Sequence, residues 1–164
     1  MTPGRRPEPV TLRPATADDG DLLLGWANEP STRAASFRPE RIGADAHRRW
    51  FLERLASPSA RLLIGSAGTT PVGVLRLERD ADGSVEIGIS VADAVRGRGL
   101  GRELLSAGLA SIRGDPAFAG RTLIARVRAD NDVSIHLFLG AGFEAREQSL
   151  CHGIPCIVLE HSEP

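Results

Sequence analysis

Apolar residues recur along this chain with two periods, and the switch between them predicts its elements. Val85, Ile87, Ile89 and Val91 fall on every second position with Glu86, Gly88 and Ser90 between them, the pattern of a strand with one buried face. Directly downstream, Leu100, Leu104, Ala107, Gly108 and Ile112 repeat at helical spacing, which predicts a helix to about Arg113. Earlier in the chain, residues 10–13 read as a strand. Thr16-Ala17-Asp18-Asp19 reads as a helix start, with a capping oxygen and acidic residues near the positive end of the helix dipole. Its stripe of Leu22, Leu23 and Trp26 runs to about Asn28, bounded by Pro30, and residues 31–36 fit a short helix or a loop. His47, Trp50, Phe51 and Leu55 share one face of a helix over residues 44–56, which ends before Pro58.

Residues 62–67, 72–79 and 85–91 are apolar runs bounded by Gly or Pro, and they predict three consecutive antiparallel strands. Asp80-Ala81-Asp82-Gly83 supplies the turn between the last two, since Asp and Gly tolerate its backbone angles. After the break at Gly114-Asp115-Pro116 come a strand at 122–129 and a helix at 131–139 closed by Gly140 or Gly142. Strands at 143–148 and 157–160 end the chain. The order predicts a mixed α/β sheet without an internal repeat.

A length of 164 residues suits one domain, able to bury about two thirds of its unfolded surface. That domain is expected over residues 10–161, with residues 1–9 as a disordered lead. A net charge of -1 and a pI near 6.4, with acidic and basic residues interspersed, argue against a nucleic-acid partner. The expectation is a cytoplasmic protein without a membrane partner, because no apolar run has the form of a signal peptide or a span. Cys151 and Cys156 match no zinc spacing and read as free thiols; no metal is expected.

The chemistry gathers at Val91-Ala92-Asp93-Ala94-Val95-Arg96-Gly97-Arg98-Gly99-Leu100-Gly101-Arg102, between the alternating strand and the amphipathic helix. The first N–H groups of a helix lack internal partners and carry the positive end of its dipole, so an anion is favoured there. Glycines let phosphate oxygens approach the backbone, and Arg96, Arg98 and Arg102 add charge. A nucleoside-triphosphate loop would end Gly-Lys-Ser or Gly-Lys-Thr, whereas Gly101 is followed by Arg102 and Glu103. A dinucleotide fingerprint needs a third glycine where Leu104 stands.

Arg96-x-x-Gly99-x-Gly101 instead resembles the acyl-CoA pyrophosphate loop of the GNAT superfamily of N-acetyltransferases, whose pattern is Gln/Arg-x-x-Gly-x-Gly/Ala. A second block, Asn131 through Gly140-Ala141-Gly142-Phe143, resembles that superfamily's helix with a leading Asn and a trailing Gly-Phe. The resemblance implies the GNAT fold: a central sheet of six to seven strands, split between the fourth and fifth, flanked by four to five helices. It implies acetyl-CoA as acyl donor. Ile89, Ser90 and Val91 would pair with the pantetheine arm, with Gly88 the place for a splay or bulge. Arg96, Gly97, Arg98, Gly99, Leu100, Gly101 and Arg102 would hold the pyrophosphate, and Asn131 and Ser134 would meet pantetheine across the split.

Attack by an amine requires a group to take its proton, and Glu86 resembles the Glu that precedes the loop in many members. Equally, a turn centred on Ala81 and Asp82 sets Glu86 opposite Leu77 and diagonal to Arg79, and a one-residue slip sets it opposite Arg76, so a surface ion pair fits as well. Many members use a Tyr after the Asn as general acid. This chain has no Tyr, and Phe138 stands in the corresponding place. The segment from Trp26 to Trp50 resembles a subgroup that acetylates nucleotide-linked amino sugars, which would make Asn28, Arg38 and His47 acceptor contacts, while Trp26, Trp50 and Phe51 also fit a core. A small-molecule amine is thus the expected partner. A protein N-terminal amine acetyltransferase and a CoA-binding sensor without turnover are alternatives, and an uncovered sheet edge would suit a homodimer.

Overall fold

The computed structural model describes residues 9–162, so residues 1–8 of the expected lead lie outside it. The chain runs β1 (Val10–Pro14), a 3-10 turn (Ala17–Asp19), α1 (Gly20–Ala27), α2 (Pro30–Ala35), α3 (Ala44–Ala56), β2 (Ala60–Ala67), β3 (Thr70–Arg79) and β4 (Val85–Val91). A second 3-10 turn (Asp93–Val95) leads to α4 (Leu100–Arg113), β5 (Leu123–Arg128), α5 (Asp132–Gly140), β6 (Glu144–Cys151) and β7 (Ile154–His161). The seven strands form one sheet in the order β1-β2-β3-β4-β5-β7-β6. The GNAT architecture implied by the motifs is the one found, including the parallel pair of β4 and β5 in an otherwise antiparallel sheet.

Alternation along β3 and β4 builds a different layer on each face. Leu75, Leu77, Val85 and Ile87 point to the side of Leu104, Leu105 and Ile112 of α4, in the larger core. Val74 points the other way, into a second cluster with Leu62, Ile64, Leu23, Trp26 and Phe51. On that second face α1 and α3 cover the β2 and β3 side, whereas Glu86 of β4 and Arg126 of β5 stay exposed. A cleft is left over the middle of the sheet.

The entry to α1 is held by charge. Asp19 is buried, and Arg13 of β1 donates to both its oxygens at 2.8 Å while Thr16 N–H donates to Oδ2 at 2.8 Å. The Arg13 hydrogen bonds hold the Asp19 carboxyl down to about 2 from 3.8. A carboxylate depressed on folding stabilises the fold above its unfolded pKa, and that contribution is lost as pH falls through the folded value. Asp19→Asn is therefore expected to cost about 1–2 kcal/mol at pH 7, with the gap to the parent closing between about pH 4 and pH 2. Urea unfolding of both proteins across that range checks it; a gap independent of pH would assign the loss to packing.

Candidate active site

The sheet opens because β4 and β5 pair only at Val85↔Leu123 and Glu86↔Ile124. Beyond Glu86 the β5-facing edge of β4 has no ladder. Which groups line that edge follows from alternation. Val85 N–H donates to Thr122 O on the β5 side, and Ala92 N–H donates to Val72 O on the β3 side, each at 2.9 Å. The residues between alternate, so Ile87, Ile89 and Val91 turn their backbone groups into the split while Gly88 and Ser90 turn theirs to β3. Of the expected pantetheine contacts, Ile89 and Val91 thus present main chain, and Ser90 contributes its side chain alone. Arg96 Nε already donates to Val91 O at 3.0 Å, leaving the Val91 N–H. The expected bulge at Gly88 does not form, for the β3/β4 register runs unbroken from Gly73↔Val91 to Arg79↔Val85. Divergence of β5 makes the opening instead.

The loop after β4 is shaped as an anion seat. Gly97 and Gly99 both have φ of 76°, and Gly99 caps α4 in the left-handed region. Alternation of such residues is the backbone form that makes anion-binding concavities, and here it stands at the positive end of a helix from Leu100 to Arg113. Arg98 and Arg102 are exposed, Leu100 is buried as an anchor, and Arg96 is tied back to Asp93 at 3.1 Å and to Thr32 Oγ1 at 3.3 Å. Across the split, Asn131 Oδ1 accepts from Ser134 N–H at 3.2 Å and caps α5. Its amide nitrogen has no partner among the described residues.

On the open face, the sequence-based facing of Glu86 is corrected. Glu78, not Leu77 or Arg76, lies opposite, because the connection is symmetric about Asp82, with Asp80 N–H donating to Ser84 O at 2.8 Å. Two carboxylates side by side take separate guanidinium groups. Glu78 pairs with Arg54 of α3 at 3.1 Å, and Glu86 pairs with Arg126 of β5. The ion pair of Glu86 thus crosses to the strand after the split rather than to the one before it. A cavity of about 360 Å³ adjoins them, with Trp50 and Arg54 on its α3 wall and Arg76, Glu86 and Gly88 on its floor.

Two of the three expected acceptor contacts are placed elsewhere. Asn28 uses its whole amide on the loop before α3, donating to Ile42 O at 2.9 Å and accepting from Ile42 N–H at 2.8 Å. His47 is 6% exposed, stacked on Phe51 with ring centres 6.0 Å apart, and burial lowers its pKa. Asn28 thus ties the end of α1 to the loop before α3, and His47 belongs to the aromatic face that α3 buries. Arg38 remains exposed at the rim, its Nη2 3.4 Å from His152 Nδ1 on the β6/β7 turn. Phe138 is 2% exposed and meets Phe143 edge to face at 5.0 Å, so that helix position is core. Cys151 and Cys156 are free thiols with sulfurs 2.7 Å apart, and burial with that contact pushes Cys151 up to about 11. Arg76, one of the expected ion-pair partners of Glu86, lies opposite Gly88 instead, and Arg126, which the sequence did not point to, takes that place.

A split α/β sheet with a glycine-rich, positive-φ turn between its fourth strand and the following helix defines the class. The chain belongs to the GNAT acetyltransferase family, whose domain model matches residues 10–144. No curated protein sequence matches it. Among solved structures, it is similar in fold to AAC(6')-Ib in complex with ribostamycin and coenzyme A (TM-score 0.82, 21% identity, 94% of each chain). It is also similar to yncA, a putative acetyltransferase from Salmonella typhimurium with its cofactor acetyl-CoA (TM-score 0.75, 20% identity, 94% of each chain). Spermidine N-acetyltransferase from Vibrio cholerae, in complex with CoA and spermine, gives a TM-score of 0.80 at 17% identity over 93% of this chain and 94% of that one. At these identities the likeness is one of fold. Among the described residues, no helix is long and apolar enough to cross a membrane.

Proposed function

We propose that this chain transfers an acetyl group from acetyl-CoA to a primary amine of a small molecule, by direct attack in a ternary complex. The carrying observation is the unpaired edge of β4, which runs past Ile89 and Val91 into the positive-φ turn at Gly97 and Gly99. Such an edge suits an extended arm with amide groups, and the turn suits a diphosphate. Asn131 would donate its free amide N–H across the split, with Ser134 beside it, and Arg98 and Arg102 would meet phosphate at the surface.

Bound acetyl-CoA would supply the activated acyl group. Val91 N–H would donate to the thioester carbonyl where negative charge develops. Glu86, on the open face two residues below Gly88, would take the proton from the attacking amine, with Arg126 fixing the carboxylate. No tyrosine is available to return a proton to sulfur. A thiol with a pKa near 8.5 leaves adequately as thiolate and is protonated by water. The proposed acceptor is an amino sugar, including one linked to a nucleotide, with Arg38 at the rim.

Saturating acetyl-CoA is expected to raise the unfolding free energy by about 2.7 kcal/mol at a hundredfold excess over its dissociation constant. Amines of the right class should then release free thiol. Stabilisation with no thiol release across amino sugars, peptides and polyamines would overturn transfer in favour of an acyl-CoA sensor.

A further inference from the structure

The arginines around the cleft do not balance. Glu78 is taken by Arg54 and Glu86 by Arg126. Arg33 spends its donors on the carbonyl oxygens of Ala27, Arg38 and Glu40, at 2.6, 2.7 and 3.2 Å, and meets no carboxylate in contact among the described residues. Arg76 makes neither a hydrogen bond nor an ion pair with any described residue. It lies opposite Gly88 on β4, and a Cβ there would stand 3.0 Å from its Nη2 and 3.3 Å from its Nε. Gly88 therefore makes room for a guanidinium laid across β4 on the floor of the cavity, next to Glu86. Arg76 is exposed to the cleft, with the like charge of Arg33 and the acids Glu86 and Glu78 near it. An arginine keeps its charge regardless, so this guanidinium offers its donors to an anion that enters the cleft.

We infer that the acceptor carries an oxyanion, a carboxylate or a phosphate, which Arg76 grips through its planar fork while the amine faces Glu86. This rests on the acetyl transfer proposed above and names its substrate class. A planar guanidinium binds either anion with two parallel hydrogen bonds, a match that a polycation would forfeit while adding repulsion. Glu86 and Gly88 are two residues apart on one strand, so amine and oxyanion are separated by about 7 Å or less. A small zwitterionic amine, or an amino sugar bearing phosphate, meets that requirement. Spermidine does not.

The test pairs amines that differ only in the anion. β-Alanine against 3-aminopropanol isolates a carboxylate, and glucosamine 6-phosphate against glucosamine isolates a phosphate, with spermidine as the polycation. One anionic member is expected to exceed its neutral counterpart about tenfold or more in kcat/KM. Arg76→Met should erase that preference, Arg76→Lys should retain part of it, and KM for acetyl-CoA serves as the folding control. Independently of turnover, with coenzyme A saturating its own site, inorganic phosphate or acetate should move the Nε–H resonance of Arg76, assigned by its loss in Arg76→Lys. Thiol release from neutral amines or spermidine at equal or higher kcat/KM overturns the inference and leaves acetyl transfer standing. A resonance unmoved by both anions also overturns it. A responsive resonance with no thiol release from any amine upholds the anion site and removes the transfer reading.

Discussion

Gly99→Val is expected to lower affinity for coenzyme A about 10-fold to 100-fold, because forcing a β-branched residue into that backbone region costs about 1–3 kcal/mol. Gly99 has φ of 76° and ψ of 5° as the cap of α4. The valine chain escapes the strain by re-forming the turn, and the N–H groups proposed to meet the diphosphate then point elsewhere. Gly101 provides the internal contrast. A Cβ there meets Leu137 Cδ2 and Val91 Cγ2 at 3.6 Å, an ordinary contact, so Gly101→Ala should leave affinity nearly unchanged. Titration calorimetry with coenzyme A on both variants checks the pair. Equal losses would mean that steric access, rather than backbone conformation, governs the seat.

Glu86→Gln is expected to reduce kcat by about 100-fold or more, the usual scale for removing a general base, with KM for acetyl-CoA little changed. The amide keeps the size of the carboxylate and removes its capacity to hold a proton. Arg126→Gln separates base from anchor: if Arg126 only fixes Glu86, its loss lowers turnover less than loss of Glu86 itself. Unchanged kcat in Glu86→Gln would reduce the residue to half of an ion pair between β4 and β5. Steady-state kinetics on the preferred amine decides.

The predicted elements were most accurate where one period ran long enough to dominate. The alternation from Val85 to Val91 and the helical stripe from Leu100 to Ile112 lie in β4 and α4, and α3 has the bounds its apolar face implied. The last strand was read too short. Pro155 argues against a ladder, yet it sits near the start of β7 opposite Leu150, after a turn where His152 and Gly153 both take positive φ. Within the site, the glycine turn between β4 and α4 was legible because glycine, charge and the strand-to-helix junction are local facts. Asn28 and His47 misled for the opposite reason. A polar side chain reads the same in sequence whether it meets a ligand, clasps Ile42 or stacks on Phe51.

By itself the sequence determined the alternation of strands and helices, the position of the glycine turn between two of them, and membership of the acetyltransferase family. These depend on residues near one another in the chain, where spacing and backbone preference act directly. Only the tertiary structure decided which charges meet. The register of β3 on β4 set Glu78 rather than Arg76 against Glu86, and the approach of β5 supplied Arg126. Gly88 gave Arg76 its place on the cleft floor without an acid to hold it. Ion pairing across a sheet depends on positions set by a shift of one residue in a turn, and local pattern does not encode that shift.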